Sequence, residues 1–489
     1  MSSSDRRGSY VLGRAATTLL WVGALLAILA PTLSNGFPLV NDDTNIYLRG
    51  IRGQWEGTPP FYSMFVLALR AATLFAVPCV QGICTLVTFE LALSTLTPGT
   101  SAIERAVGSF AVVALTQVPW LASWIMPDVF GGLGIIAVIA LLLGRIPVPA
   151  WQTLFLMMIV FVSALSSTAN TLVLVPIAII CVFARSIWLR WLTDRRLICG
   201  MATLAIAAVA VPIAWNTASF GVPRLTVGAG AMLISKLLDA GIAQKYLAEN
   251  CLRISHPICN HVSDLPRAPH SQNFLWRGSP PLSFRLNAWR DPEGSFSTLA
   301  WDIVRHYPGE VLKLALDDAL YLSTQLTLGF KNRPGTLELG ELRSFRDIGM
   351  VRDQMVRLGG HIVYAFDGAR QQTGSLEAIY PAPLYRVTVI VSYVGILLML
   401  AIALIRGDQY LGVLATVFLG AALVGIALHG GLVGPYARYH VKVSWLATFA
   451  ILAGVLHLKT RERELAAAKR PGPRARERGV CRRSRKGFR

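Results

Sequence analysis

Long apolar runs alternate with short polar breaks along nearly the whole of this chain. Runs of roughly 18 residues or more can cross a hydrocarbon core of about 30 Å as α-helices, the form in which a lone segment satisfies its own backbone in lipid. The runs do not alternate with period two, which excludes a β-barrel. Ten spans are predicted, at about 14–34, 74–93, 105–119, 129–143, 151–165, 171–185, 197–215, 384–405, 410–429 and 441–458. The expected fold class is an all-α polytopic membrane protein of about ten transmembrane helices. Residues 55–70, aromatic, moderately apolar and broken by Pro59-Pro60, suit a helix lying along the interface. The first run ends Ala27-Ile-Leu-Ala30-Pro31, a poor cleavage site, so it reads as a retained anchor.

Composition agrees with the pattern: 54% of the 489 residues are hydrophobic and only 15% charged, against roughly 25% charged in soluble proteins. The formal net charge of +19 is unevenly placed, since Lys459 to Arg489 holds 13 Lys and Arg against 3 Glu. A basic tail beside a last span is an inside signal and an anionic-lipid contact, and nucleic-acid binding is not expected. Arg6, Arg7, Arg14, Arg145, Arg185, Arg190, Arg195, Arg196 and Arg406 fall on the same side when the spans are threaded, putting both termini inside. The expected organisation is an inner N-terminus at 1–13, spans 1–7 within 14–217 with a first outer loop at 35–73, an outer region at 218–383, spans 8–10 within 384–458, and an inner basic tail at 459–489. Trp120 and Trp124, in a short outer loop, suit an aromatic belt. No internal repeat is present, so the inverted halves of many transporters are not indicated.

The outer region is too long for a structureless connection. Helices are predicted at 297–306 and 310–328, with a break at Pro308 and one apolar face through Val311, Leu314, Ala315, Leu322 and Leu326; another is suggested in 339–363. A small, mostly helical cap is expected. Cys251 and Cys259 are the cysteines placed outside, where an oxidising compartment favours a disulfide. A zinc set of Cys251, His256, Cys259 and His261 is the weaker alternative, because its spacing matches no established pattern. His256, His261 and His270 otherwise read as exposed loop residues. Cys79, Cys84, Cys181 and Cys199 read as apolar fillers of the spans, and Cys481 lies in the tail.

Threading puts Asp42, Asp43, Asp128, Asn170, Arg438 and His440 on one face with the long region. Two adjacent carboxylates just beyond a span, in Asn41-Asp-Asp-Thr-Asn-Ile-Tyr47, can hold a proton or a cation between them. The plainer reading makes Asn41 to Thr44 a helix-capping turn and Asp128 an N-cap. Arg438 and His440, beside Tyr436 and Tyr439, can hold a phosphate, and Lys442 one turn deeper can join them or snorkel to the surface. No phosphate-binding glycine loop, Walker motif or nucleophile elbow is present.

The acidic pair followed by Tyr47, the Met126-Pro-Asp128-Val-Phe turn leading into the fourth span, and the many spans with one late outer region together resemble the GT-C membrane glycosyltransferases. The resemblance implies a polyprenyl-phosphate-linked sugar donor, a lipid, glycan or protein acceptor, and an active face outside a bacterial inner membrane. It implies Asp42 or Asp43 as base or metal partner, with Asp42 taken first; by their positions Asp128 reads as a second acid and Tyr47, Arg438, His440 and Lys442 as substrate contacts. The family's Asp-Glu is not reproduced, since Thr44 stands where Glu would be when the pair is counted back from Tyr47. The cation facing the departing phosphate would be an Arg or a divalent metal, Mg or Mn, held by Asp42 and Asp43. A flippase for a lipid-linked saccharide, an O-antigen-type polymerase or ligase, and a non-enzymatic scaffold are the alternatives; the first is disfavoured because spans 3–10 hold few ionisable residues.

Overall fold

The computed structural model describes residues 3–49, 60–146, 149–187, 195–265, 272–330, 341–345 and 349–468, with side chains at 3–12, 187, 195, 196 and 349 excepted. Arg190, His270 and Cys481 therefore lie outside the described residues. The described chain is helical, with no strand beyond two isolated bridges, Leu39 to Trp124 and Gly278 to Pro281. The first half comprises α1 (Ser3–Asn35), α2 (Thr44–Arg49), α3 (Phe61–Arg70), α4 (Ala76–Leu96), α5 (Ala102–Leu115), α6 (Val118–Ser123), α7 (Asp128–Leu143), α8 (Ala150–Ser166), α9 (Thr168–Ile187) and α10 (Arg195–Phe220). A cap follows, with α11 (Ala229–Asp239), α12 (Ile242–Asn250), the short α13 (Asn273–Trp276) and α14 (Leu282–Arg285), α15 (Ser295–His306) and α16 (Pro308–Thr324). Then come α17 (Gly349–Leu358), α18 (Gly360–Asp367), α19 (Arg370–Thr373), α20 (Ala382–Arg406), α21 (Gln409–Leu428), a π-turn at His429–Val433, and α22 (Ala437–Ala468).

Among the described residues, seven helices are long and apolar enough to cross a membrane: α4, α9, α20, α22, α1 from Gly13, α10 from Leu197, and α21 with the π-turn. The protein is thus a multi-pass, all-α membrane protein. At the other three expected span positions stand α5, α7 and α8, of 14, 16 and 17 residues. The long peripheral helices turn large apolar side chains outward, such as Leu19, Ile206 and Leu404. Such a surface is stable against hydrocarbon and not against water. By contrast every residue of α7 is buried.

Glycines explain how α7 reaches the centre. A Cβ on Gly132 would stand 2.3 Å from the Trp445 ring and 2.9 Å from the Lys442 carbonyl, and one on Gly134 would stand 2.5 Å from Ser163 Oγ. Small residues at these positions let α22 and α8 close directly on the α7 backbone. As a result Asp128, at the start of α7, is drawn inside one end of the bundle.

The long region divides in two. Its first part has a hydrophobic core of its own, built by Ile234, Leu238, Leu247, Phe274, Trp289, Phe296 and Ile303. Cys251 and Cys259 are joined there as a disulfide. Asp291 accepts hydrogen bonds from the Phe296 and Ser297 amides and from Arg224, fixing the start of α15. The second part, with Leu342, Phe345, Met355, Phe366 and Leu376, packs into the core of the bundle. Pro308 opens α16 at its first position, where its missing N–H costs nothing. Trp120 and Trp124 are core residues rather than a belt: α6 folds in against α1 and α4, and the Trp120 indole donates to the Tyr385 hydroxyl at 2.9 Å.

At the end of the bundle away from Asp42, Asp408 ties the helices together. It accepts from the Leu411 amide at 3.1 Å, from His457 Nε2 at 3.0 Å and from Arg461. Arg145 donates to His457 Nδ1 at 3.3 Å and lies over the Tyr410 ring.

Candidate functional site

The first loop is built as a rigid platform. The Leu39 amide donates to the Ser123 carbonyl and its carbonyl accepts from Ile125, both at 2.9 Å. Gln371 reads Val40 as a peptide group, accepting from its amide at 3.1 Å and donating to its carbonyl at 2.8 Å, while the Gln371 amide donates to Asn35 Oδ1. Asn41 then makes the turn, its side chain accepting from the Asp43 amide at 3.2 Å. The capping task thus falls to Asn41, and the two carboxylates are turned to cations: Asp43 to Arg438 at 2.8 Å, Asp42 to Arg343 at 2.7 Å.

Residues from four segments converge here. Lys442, one turn below Arg438 on α22, stands 3.1 Å from Asp128, which occupies the first turn of α7 without capping it. Glu341 accepts from the Asn41 side chain at 2.6 Å and stands 3.9 Å from Arg438. The Tyr439 ring lies beneath both cations, 5.1 Å from the Arg438 guanidinium and 4.8 Å from the Lys442 ammonium. Such cation–π contacts hold the two positive groups side by side against their mutual repulsion. Tyr47 is buried against Tyr62, ring centroids 4.8 Å apart.

Among the described residues four carboxylates, Asp42, Asp43, Asp128 and Glu341, stand with three cations, Arg343, Arg438 and Lys442. Burial is the main force pushing the Glu341 carboxyl up to about 7, with Arg438 pulling it down and Asp128 and Asp43 pushing it further up. Asp42 is also raised, by burial first; Arg343 opposes this and the adjacent Asp43 reinforces it. Burial likewise keeps the Tyr47 hydroxyl protonated. A carboxyl that titrates near neutrality can hold or accept a proton at working pH. The guanidinium is not saturated either: Arg438 Nε has no hydrogen-bond partner among the described residues.

Of the sequence-predicted residues, Asp42, Asp43, Asp128, Arg438 and Lys442 come together, with Tyr47 beside them. His440 does not join them. Its Nδ1 donates to the Gln325 carbonyl at 3.0 Å and its Nε2 accepts from the Tyr393 hydroxyl at 3.1 Å, so it joins α22 to α20 and to the end of α16. Glu341 and Arg343 were missed, as was His429. Its Nδ1 donates to the Gly425 carbonyl, its ring stacks on Tyr439 at 4.9 Å, and its buried Nε2 lone pair has no partner among the described residues. The only signal for these was charge, in Glu341-Leu-Arg343, and a histidine at the end of a span.

A divalent metal fits this donor set poorly. Asp42 and Asp43 are each committed to a guanidinium, and among the described residues no three His, Cys, Asp or Glu side chains are grouped for an ion. The zinc alternative at Cys251 and Cys259 is displaced by the disulfide that consumes both thiols. Comparison of the chain with family models, with curated proteins and with solved structures gives no match in any of the three.

Proposed function

We propose that this protein is a glycosyltransferase of GT-C type, with ten spans, both termini inside, and its site on the outer face of a bacterial inner membrane. What carries the reading is one juxtaposition at one end of the bundle. Asp43 of the first loop and Arg438 of α22, 395 positions apart in the chain, are held at 2.8 Å, with Asp128 and Lys442 paired beside them at 3.1 Å.

The reaction it supports is transfer from a polyprenyl-phosphate sugar. The acceptor hydroxyl forms a bond to the sugar's anomeric carbon and gives its proton to a carboxylate of the Asp42, Asp43, Glu341 group. The bond from that carbon to the phosphate breaks, and the phosphate leaves with the electron pair onto Arg438 and Lys442. In the resting arrangement the carboxylates occupy those cations, and the donor phosphate would take their place, freeing an acid to act as base.

The test is a transfer assay in membranes with a panel of polyprenyl-phosphate sugars, comparing the wild type with the Asp42→Asn, Asp43→Asn double variant. Transfer should be lost in the variant at normal protein level, and a chelator should leave the wild-type rate unchanged because the cationic role falls to side chains. Equal rates in the two proteins would remove the reading. The same ion pairs would then tie loops together in a scaffold.

A further inference from the structure

A cavity of about 130 Å³ lies between the cap and the loop that precedes α22. Met232, more than a third exposed, is among its lining residues, and the buried Asp239, Asp318 and Tyr436 line it too, with Lys236 and Gln272. The wall is set firmly. Lys236 spends its ammonium on Asp318 at 2.8 Å and on the Gly430 and Gly431 carbonyls at 2.5 and 2.7 Å, joining α11, α16 and the π-turn. Gly430 permits that junction, since a Cβ there would stand 2.8 Å from Ala319 Cα. Asp239 accepts from the Gln272 amide at 2.9 Å.

The chemistry of this lining is specific. Among the described lining residues two carboxylates stand with one ammonium, which disfavours an anion and favours a ligand rich in hydroxyl donors; a carboxylate that already holds a donor can accept others, having about four acceptor positions. Tyr436, Leu314 and Val433 add an aromatic and apolar wall of the kind that packs on the C–H face of a sugar ring. A cavity of about 150 Å³ holds one six-membered ring, so this space of about 130 Å³, bordered by the part-exposed Met232, matches one ring better than an oligosaccharide. Tyr436 also joins the cavity to the ion cluster, because its ring lies 5.8 Å from that of Tyr439, on which Arg438 and Lys442 rest.

We propose that this cavity is a subsite for one uncharged sugar unit, that of the acceptor. Its role as acceptor site rests on the transferase reading above, whereas sugar binding there does not. The probe is a panel of methyl glycosides of glucose, galactose, mannose and rhamnose, followed by saturation-transfer NMR on the full-length protein in detergent. At least one glycoside should show transfer, and Met232→Trp, which fills the cavity from a partly exposed position, should weaken it by about tenfold or more. Asp239→Asn, which keeps the shape and removes a charge, should weaken it less, and serves if the Trp variant does not fold. No signal from any glycoside, or equal signals in wild type and both variants, overturns the proposal. Glycoside binding that the variants weaken, in a protein whose membranes transfer no sugar, leaves the subsite standing and removes the transferase.

Discussion

The two ends of the helix bundle use the same side chains to opposite effect. At the Asp408 end one carboxylate accepts from His457, Arg461 and a backbone amide, with Arg145 bonded to the far side of His457. Burial alone would raise its pKa, but the hydrogen bonds from Leu411, His457 and Arg461 outweigh burial and hold it below the usual carboxylate range. At the Asp42 end, among the described residues, four acids share three cations, burial raises Asp42 and Glu341, and Arg438 Nε, 3.9 Å from Glu341, makes no hydrogen bond. A cluster whose hydrogen bonds outweigh burial holds helices together as fixed charges; one in which burial outweighs them retains protons and hydrogen-bonding capacity for something else. The difference lies in stoichiometry and satisfaction, not in residue type.

Four variants would break or sharpen that contrast. Asp408→Ala removes the N-cap of α21 and the acceptor of the buried His457 Nε2 and should cost roughly 2–4 kcal/mol, read as a lower melting temperature in detergent, with activity per folded molecule unchanged. A loss of specific activity there would mean that the two ends are not separate in role. Arg438→Ala should lower sugar transfer by roughly 10²–10³-fold, as removal of an oxyanion-stabilising donor does, while Arg461→Ala leaves it alone.

Glu341→Gln gives the smallest effect and concerns pH. The folded carboxyl titrates at about 7, above its ordinary 4.5. The neutral form is favoured by the fold, so its stabilisation is present at low pH and is lost as pH climbs from about 4.5 to about 7. The loss is roughly 3 kcal/mol. The Gln variant stays neutral, so thermal melts of the two proteins should diverge as pH rises through that window. Parallel melts would show that Glu341 is not held as an acid.

Much of the architecture was legible because lipid imposes a simple code: helices stand at the predicted spans, seven of them among the described residues long and apolar enough to cross a membrane, and loops that threading put on one face supply Asp42, Asp128 and Arg438 to one cluster. The partner of each acid was not legible. Glu341 and Arg343 sit in a polar stretch without apolar period, and their approach to Asn41 and Asp42 is set by packing of Leu342 and Phe345 into the bundle core. Trp120 and Trp124 misled for a related reason. A tryptophan near a span end has the composition of a belt residue, and only the inward fold of α6 makes it core. His440 was misplaced because its position two residues after Arg438 puts it about 200° round the helix, facing α20.

The enclosure of α7 bears on the membrane in which the protein works. Helices that face lipid must match the thickness of the bilayer, tilting or deforming it when they do not. A 16-residue helix sheathed wholly by protein meets no acyl chain and is released from that demand. Asp128 is mounted on this sheathed helix and Lys442 on the face of α22 packed against it, so changes in lipid chain length should be absorbed by the tilt of α1, α10 and α20 and should leave the spacing of the ion cluster untouched.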